Sequence, residues 1–318
     1  MATIQDVAKC AGVGIGTVSR VLNNEKGVSE DTRGKVLAAI DKLRYTRNSL
    51  AVSFRKNENR VAALLVPVLD HPFFAKLAYY IEDELDKNGY SLIVSSSQSR
   101  QSKEYAMIEK LKRRDVDGII FVTHYDYKDE AIADLPVVSI DRHFKNVPFI
   151  TSDNYDSSRT ACEWLVSQGC RNIAYIGGKT LVESEVMERA RAYEDVMRER
   201  GLPVILESKV IKHGEEGPLV EELFANNPGL DGVFASGDAM THAIIRHCEE
   251  TGKDIPAELK VVSYDGVDIR AGELRHKIAF VEQPVEEIAR ASVRTLIAKI
   301  RKENTPLKTQ LKAKFIHY

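Results

Sequence analysis

The stretch Thr3–Asn23, TIQDVAKCAGVGIGTVSRVLN, contains two short helical patterns joined by a tight turn. Thr3 is placed to cap the first helix, with Asp6 as its reciprocal partner in a capping box. Gly12 then interrupts the apolar spacing and supplies the left-handed backbone conformation that a sharp turn needs. A second helix is predicted from about Gly16. This spacing is typical of a helix-turn-helix, whose second helix enters the major groove of DNA.

The residues that follow favour this interpretation over a helical hairpin that binds nothing. Ser29 is predicted to cap a third helix, which closes a three-helix head. The predicted inner face of that helix is Val36, Leu37, Ile40 and Leu43. Residues 1–60 contain 11 Lys and Arg against 6 Asp and Glu, whereas the rest of the chain has 34 against 41. A basic head on an acidic body suits a protein whose head alone meets phosphate.

The head also resembles a known family. The runs T-I-x-D-V-A-x-x-A-G-V and T-V-S-R-V-L-N are similar to the amino terminus of the lactose/galactose repressor (LacI/GalR) family. Val28–Arg33 and Tyr45 continue the match, and the resemblance extends through the body to Tyr318. It implies a homodimeric transcriptional regulator that binds a pseudo-palindromic operator in double-stranded DNA. It further implies a repressor of a carbohydrate-utilisation operon, controlled by a small sugar-type effector.

From Arg60 onward, apolar runs alternate with amphipathic helical patterns. The runs that predict strands begin with VAALLVPV at Val61 and end with IAFVEQ at Ile278. Continuous apolar strands between helices indicate parallel sheets that are covered on both faces. Two such sets predict an α/β, periplasmic-binding-protein-like body of two parallel-sheet subdomains with a cleft between them, behind the all-α helix-turn-helix head.

The patterns also predict domain bounds. A DNA-binding domain is expected at 1–46, a hinge helix and linker at 47–60, and an effector-binding and dimerisation domain at 61–318. Within the last, one subdomain is expected at about 61–160 plus 290–318, and the other at about 161–289.

The resemblance implies DNA-binding roles for residues of the head. In the family, bases are read by the two residues before T-V-S-R and by the last of that set, which here are Ile15, Gly16 and Arg20. Arg20 suits a bidentate contact with guanine. Ile15 offers only apolar contact, and Gly16 only its backbone. The candidate DNA-binding residues are Thr3, Ile15, Gly16, Thr17, Ser19, Arg20, Asn23, Arg47, Asn48, Ala51, Phe54 and Arg55.

The segment Asn48–Lys56 has the length of about two helical turns, which is too short for a stable isolated helix in water. The resemblance implies that it is the hinge helix, which folds when two subunits sit on the operator. Phe54 stands where the family has a leucine that opens a base step in the minor groove, and an aromatic wedge suits that role. The alternative for Phe54 is packing against the body. Arg47 replaces a proline common in the family.

Ligands of open parallel sheets bind beyond the carboxyl ends of the strands, so residues just after the predicted strands are candidates. Charged groups there can bond sugar hydroxyls, and aromatic faces can stack on a sugar ring. The resemblance matches Asp156, Arg189 and Asp265 with ligand-binding residues of the family. Gly237 stands where asparagine is common, and Asp238 is expected to cap the following helix. The candidate effector-binding residues are His71, Phe73, Phe74, Arg142, Asp156, Arg189, Gly237, Asp265 and Gln283.

Each acid of this set has an alternative role in helix capping or in an ion pair at the rim of the cleft.

The four cysteines are scattered without metal-site or disulfide spacing, so reduced thiols in a cytoplasmic, nucleoid-associated bacterial protein are expected. No apolar run is long enough to span a bilayer, so no membrane partner is expected. Neither a cofactor nor a metal nor a catalytic residue is predicted, and the chain is expected not to be an enzyme. The end FIHY lacks a leucine-heptad tail, which favours a dimer over a tetramer.

Two other classes of function stay open at this stage. A cytoplasmic or exported solute-binding protein without a transcriptional role would share the body, but it would not explain the basic helical head or the lack of a signal peptide. A sugar-handling enzyme would use the acids of the cleft, but the sequence contains no catalytic motif. For the leading interpretation, a nucleobase or a phosphorylated metabolite is an alternative effector, and induction and co-repression look alike in sequence.

Overall fold

The computed structural model describes residues 2–45, 59–98, 100–123, 132–179, 183–210, 214–267 and 276–318. The chain divides into two compact units, a head formed by Met1–Asn59 and a body formed by Arg60–Tyr318. The predicted hinge helix and linker, 47–60, lie almost wholly outside the described residues and stay a prediction. None of the described helices is long and apolar enough to cross a membrane.

The helices of the head are α1 (Ile4–Ala11), α2 (Ile15–Leu22) and α3 (Glu30–Lys42). Thr3 and Asp6 form the predicted capping box, since each side chain accepts a hydrogen bond from the other residue's N–H. Gly12 ends α1 with a φ of 67°, the left-handed conformation that glycine adopts without steric cost. Ser29 caps α3 by accepting the N–H of Thr32, as predicted.

Small apolar side chains form the core of the head. They come from all three helices and are Val7, Ala8, Val18, Val21, Val36 and Ala39. The prediction that Leu37 faces inward is wrong, because this residue is 53% exposed. Ala39 is buried instead, since it lies three residues after Val36 and therefore on the same face of α3.

The body contains two β-sheets covered by helices, which confirms the predicted fold class. In spatial order, the described strands of the first sheet are β11 (Lys308–Leu311), β5 (Phe149–Ser152), β4 (Val137–Ile140), β3 (Gly118–Phe121), β1 (Val61–Val66) and β2 (Ser91–Ser96). Those of the second sheet are β12 (Lys314–Ile316), β10 (Ala279–Glu282), β9 (Lys260–Asp265), β8 (Gly232–Ala235), β6 (Ile173–Gly178) and β7 (Ile205–Lys209). Neighbouring strands are parallel, except that β12 runs antiparallel to β10.

Helices cover both faces of each sheet, and each sheet with its helices is called a half of the body. In the first half these are α4 (Pro72–Lys87) and α10 (Val285–Ile300) on one face and α5 (Gln101–Lys112) on the other. In the second half they are α8 (Glu216–Asn226) and α9 (Asp238–Thr251) on one face, and α6 (Asn154–Ser167) and α7 (Met187–Glu199) on the other.

The chain passes between the halves at 152–154, 282–285 and 311–314. These crossings lie at strand ends, whereas the predicted bounds at 160 and 290 fall inside α6 and α10. Each helix belongs to one half because its apolar side chains are buried against one sheet only. The prediction placed all of 290–318 in the first half, but β12 pairs with β10 in the second sheet.

Candidate nucleic-acid interface and ligand cleft

The outer face of α2 carries the residues predicted to contact DNA. Ile15, Gly16 and Arg20 are exposed, and Thr17 and Ser19 are half-buried. An exposed arginine on a helix that fits the major groove can donate two hydrogen bonds to one guanine. The structure therefore places the predicted base-reading residues on one accessible surface.

Two predicted contacts lie at the ends of these helices. The Thr3 hydroxyl donates to Asp6 Oδ2 at 2.8 Å, and the Asn23 amide donates to Glu25 Oε1 at 3.2 Å. Both Thr3 and Asn23 are exposed, so their polar atoms are also accessible to a DNA phosphate. The other predicted DNA contacts lie outside the described residues; they are Arg47, Asn48, Ala51, Phe54 and Arg55.

Buried polar side chains from both halves meet at the carboxyl ends of the strands. This group, called the cleft cluster, consists of Asp141, Arg142, Asn154, Arg189, Asp265 and Gln283. Arg142, Arg189, Asp265 and Gln283 are among the predicted effector-binding residues. Sequence positions more than 140 residues apart are thus brought close together, and within the group Arg189 binds Asn154 and Gln283 binds Asp265.

Arg189 projects from the first turn of α7 into the cluster. Its guanidinium lies over the Tyr264 ring, 3.6 Å from the centroid. Nε donates to Asn154 Oδ1 at 2.7 Å, and Nη1 donates to the Ser236 carbonyl at 2.7 Å. Nη1 is also 3.6 Å from Asp265 Oδ1. Cation–π and charge-assisted contacts together hold this guanidinium in one orientation.

Asp265 ends β9, and its carboxyl group lies between Gln283 and Gly237. Gln283 Nε2 donates to Asp265 Oδ1 at 2.6 Å, and Gln283 Oε1 accepts from Ser152 Oγ at 3.0 Å. On the other side, a Cβ at Gly237 would lie 3.1 Å from Asp265 Oδ2. The φ of Gly237 is −176°, which any residue can adopt, so it is space and not backbone conformation that favours glycine here.

Asp141 and Arg142 follow β4 in the first half and reach across to the second. Arg142 Nε donates to the Thr123 carbonyl at 2.6 Å, and its Nη1 donates to Ser184 Oγ. The Asp141 carbonyl accepts the Glu185 N–H at 2.9 Å. Arg142 therefore joins the two halves directly.

Asp141 and Asp265 occupy equivalent places in the two halves. β4 and β9 are each the third strand from the edge formed by β11 or β12. Both aspartates have left-handed backbone, with φ of 61° and 83°. Such a conformation costs about 1–3 kcal/mol at a non-glycine residue and is concentrated at ligand sites. The two strained strand ends are therefore candidate walls of a ligand site.

Burial affects the two arginines differently. Burial lowers the pKa of Arg142 to about 10, although Asp141 acts in the opposite direction. Burial also disfavours the charge on Arg189, but Tyr264 and Asp265 outweigh it and raise its pKa. Both guanidinium groups therefore stay charged at neutral pH, with a carboxyl group beside each. Paired donors and acceptors of this kind suit a neutral ligand rich in hydroxyl groups.

Some predicted effector contacts lie outside the cluster. Asp156 is exposed in the first turn of α6, whereas Asn154, two residues earlier, is 1% exposed and reaches Arg189. Phe73 is buried in the core of the first half. His71 and Phe74 are half-buried at the start of α4, with ring centroids 5.1 Å apart. These last two form an aromatic group at the carboxyl end of β1.

Asp238 does not cap α9 as the sequence suggested. Gly237 occupies the N-cap position, and the Asp238 carboxyl accepts the N–H groups of Gly266 and Val267 at 3.2 and 2.8 Å. Because these two residues directly follow Asp265, Asp238 fixes the loop that carries this aspartate.

Sequence reasoning missed three residues of the cleft. Asn154 and Tyr264 lie next to strand ends that were already selected, so the strand-end rule could have found them. Ser184 lies in an irregular segment before α7, where no periodicity or motif indicates a role.

Family models match both units of the chain. Residues 3–48 match bacterial regulatory proteins of the lacI family, and residues 162–316 match a periplasmic binding protein-like domain. The ribose operon repressor of Halalkalibacterium halodurans is 34% identical over 312 residues, which cover 97% of this chain and 93% of that protein. The chain belongs to the lacI family of bacterial regulatory proteins.

Other proteins and solved structures are similar over nearly the whole of this chain. The sucrose operon repressor of Streptococcus mutans is 32% identical, covering 96% of this chain and 95% of its own. The complex of the transcriptional regulator CelR with cellobiose has a TM-score of 0.71 at 27% identity, covering 99% of this chain and 98% of its own. The lac repressor dimer bound to operator and the anti-inducer ONPF has a TM-score of 0.85, covering 99% of this chain and 97% of its own. Because its sequence identity is 22%, this similarity is evidence for the fold alone.

Membership of the lacI family confirms the prediction of a DNA-binding transcriptional regulator. The lacI-family match at 3–48 contains α1, α2 and α3, which a plain solute-binding protein would not need. The similar curated proteins are named as repressors and not as enzymes.

Proposed function

We propose that this lacI-family protein represses a carbohydrate-utilisation operon and that a sugar bound in the cleft sets its affinity for operator DNA. The observation that carries the proposal is the cleft cluster, in which a buried arginine from each half lies near an aspartate and the amides of Asn154 and Gln283 bind Arg189 and Asp265. Such a group offers alternating donors and acceptors to a ring of hydroxyls. Relatives at 34% and 32% identity are named ribose and sucrose operon repressors.

Within the cleft, Arg189 and Asp265 are the proposed centre of sugar recognition. Arg142, Gln283 and Asn154 complete the polar wall, and this list adds Asn154 to the sequence-based set. His71 and Phe74 supply an aromatic face for the apolar side of the sugar. Gly237 leaves the space in which Asp265 sits, and Phe73 supports the wall from the core. Asp156 stays a prediction, and its exposure makes Asn154 the better candidate at this end of α6.

On DNA, two copies are proposed to bind a pseudo-palindromic operator, one head in each half-site. Arg20 reads a base, while Thr17, Ser19, Thr3 and Asn23 hold the backbone. The residues proposed for the hinge and minor groove are Arg47, Asn48, Ala51, Phe54 and Arg55. Because a repressor of this kind acts on chromosomal DNA, the nucleoid of the bacterial cytoplasm is its proposed location.

Control requires that the sugar bind two arrangements of the body unequally. Arg142 and Arg189 come from different halves, so a sugar that touches both has an affinity that depends on how the halves are arranged. A change in that arrangement would alter the spacing of the two heads in the dimer, and thereby their fit to two half-sites.

The test is a fluorescence anisotropy titration of a labelled duplex from upstream of this protein's own gene. It is run at two salt concentrations, without sugar and with ribose, sucrose, cellobiose or glucose. We expect sequence-selective binding that weakens with salt, because cations of the head replace counterions on phosphate, and that one sugar changes several-fold. Absence of preference for any sequence, together with tight sugar binding, would contradict the proposal and favour a solute-binding protein.

A further inference from the structure

The short segment of the second half that precedes α7 makes direct contacts with the first half. The Ser184 hydroxyl accepts from Arg142, and the Glu185 N–H donates to the Asp141 carbonyl at 2.9 Å. Arg142 and Ser184 also form an isolated antiparallel bridge. The segment therefore connects the halves through both backbone and side-chain contacts.

Glu185 carries the charged part of this connection. Its Oε1 lies 2.8 Å from His143 Nε2 and 2.8 Å from Lys308 Nζ. His143 and Lys308 both belong to the first half, where each also contacts the Phe149 ring. The Glu185 side chain is 11% exposed, so contacts with these partners replace most of its hydration. These three residues, His143, Glu185 and Lys308, are called the latch.

The latch is one helical turn away from the effector site. The Met187 N–H donates to the Ser184 carbonyl and the Glu188 N–H to the Glu185 carbonyl, so this segment is the start of α7. Arg189 follows four residues after Glu185 on that helix. The contacts of the first half with Glu185 therefore also fix the start of α7, the helix that carries Arg189. Ser184 of the same segment binds Arg142.

We propose that Glu185, held by Lys308 and His143, is a positioning residue that fixes the two cleft arginines relative to each other. The effector part of this inference rests on the proposed function. Lys308 lies on β11 and Arg189 on α7, so the charge pair acts on the sugar only through the orientation of the halves. A buried carboxylate tolerates its site only while its ammonium partner, here Lys308, stays in place, so separation of the halves exposes Glu185 to water.

The test compares Lys308→Met with two other variants. Lys308→Arg keeps the charge and should restore the latch. Lys209→Met is the matched control, because Lys209 is likewise a half-exposed lysine in ion pairs, 48% exposed against 43% for Lys308, but its partners Glu207 and Glu222 lie in its own half. Two quantities are measured on the full chain: hydrogen exchange of the 183–189 backbone and the affinity for D-ribose or sucrose.

In Lys308→Met we expect exchange across 183–189 to accelerate and sugar affinity to fall, each by at least about fivefold, the lower end of usual coupling between sites. Lys308→Arg should return both to the wild-type values, and Lys209→Met should change neither. Exchange in Lys308→Met equal to that in Lys209→Met would overturn the latch. Faster exchange with unchanged sugar affinity would overturn its positioning role.

The two parts of the account fail separately. If the wild-type protein binds neither sugar, it is the proposed sugar effector that fails, and the exchange experiment still decides whether Glu185 holds the halves together.

Discussion

At the scale of single residues, Arg189 is the side chain on which the cleft depends most. It is buried, stacks on Tyr264, and spans Asn154 and the Ser236 carbonyl while facing Asp265. A planar guanidinium can make these contacts together because its donors point in fixed, divergent directions. An ammonium group has the charge but not this geometry.

Arg189→Lys should therefore lower sugar affinity by about tenfold or more, since at least one hydrogen bond to a charged group is lost. Operator binding without sugar should stay close to wild type. Arg191→Lys is the control, because Arg191 lies on the same helix with its side chain 68% exposed. Calorimetric titration with the sugar checks both variants, and equal affinities for the two would contradict the role given to Arg189.

Gly237 offers a second residue-scale prediction. Adding one methyl group in Gly237→Ala places a Cβ about 3.1 Å from Asp265 Oδ2, so the carboxyl must move away from Gln283 or Arg189. We expect sugar affinity to fall by about tenfold, equivalent to roughly 1.4 kcal/mol of overpacking. Gly217→Ala, at a helical site with open space around it, should leave sugar binding unchanged. Unaltered binding by Gly237→Ala would show that Asp265 is free to shift.

Individual residues were predicted unevenly from the sequence, for reasons of geometry. Asp265 could be selected because it ends an apolar strand, whereas Arg189 was selected through the family resemblance alone. Asn154 and Asp156 are two positions apart, and only the orientation of the first turn of α6 decides which one is buried. Leu37 was misplaced because apolar character alone suggested burial, whereas the spacing from Val36 turns it outward.

At the scale of elements, the first helix of the head depends on its cap. Thr3 and Asp6 satisfy N–H groups that the helix itself cannot pair. Thr3→Ala should lower the free energy of opening of α1 by about 1 kcal/mol, as measured by amide hydrogen exchange in the full chain. Thr3→Ser, which keeps the hydroxyl, is the control. Equal protection in both variants would mean that packing on α3 alone holds α1.

The same cap gives a pH dependence whose sign follows from Asp6. Hydrogen bonds from the Thr3 N–H and hydroxyl lower the pKa of Asp6 in the folded head. The stabilising effect is therefore complete at neutral pH and is lost as the pH falls through the lowered pKa in acid. Protection of α1 should decrease over that acid range in the wild-type protein and not in Asp6→Asn. A parallel decrease in both would assign the effect to other carboxyl groups.

Strands with apolar runs were predictable, and the short polar strands β11 and β12 were not. The inner strands follow runs such as VAALLV and KVVSYD, because parallel strands covered on both faces need apolar side chains throughout, and the edge strands β2 and β7 still contain the apolar pairs Leu92–Ile93 and Ile205–Leu206. β11 (KTQL) and β12 (KFI) lie at sheet edges, with alternating exposed and half-buried residues. Such short polar strands resemble loops until their partner strand is known.

At the scale of the whole molecule, contacts between the halves could not be read from the sequence. Lys308 and Glu185 are 123 residues apart, and no local sequence pattern predicts that they pair. The separation of functions was nevertheless visible, because the excess of basic residues is confined to the first 60 positions. In the proposed function, the head that binds DNA and the body that binds a sugar communicate through the arrangement of the halves in a dimer.

The central claim is this communication, and linkage provides its most direct test. The affinity of the full-length protein for its effector sugar is measured by calorimetry with and without saturating operator duplex, beside the operator affinity with and without the sugar. We expect the operator to change sugar affinity by the same factor, about 5- to 150-fold, and in the same direction as the sugar changes operator affinity. A sugar affinity that the operator leaves unchanged would contradict control of the head by the cleft.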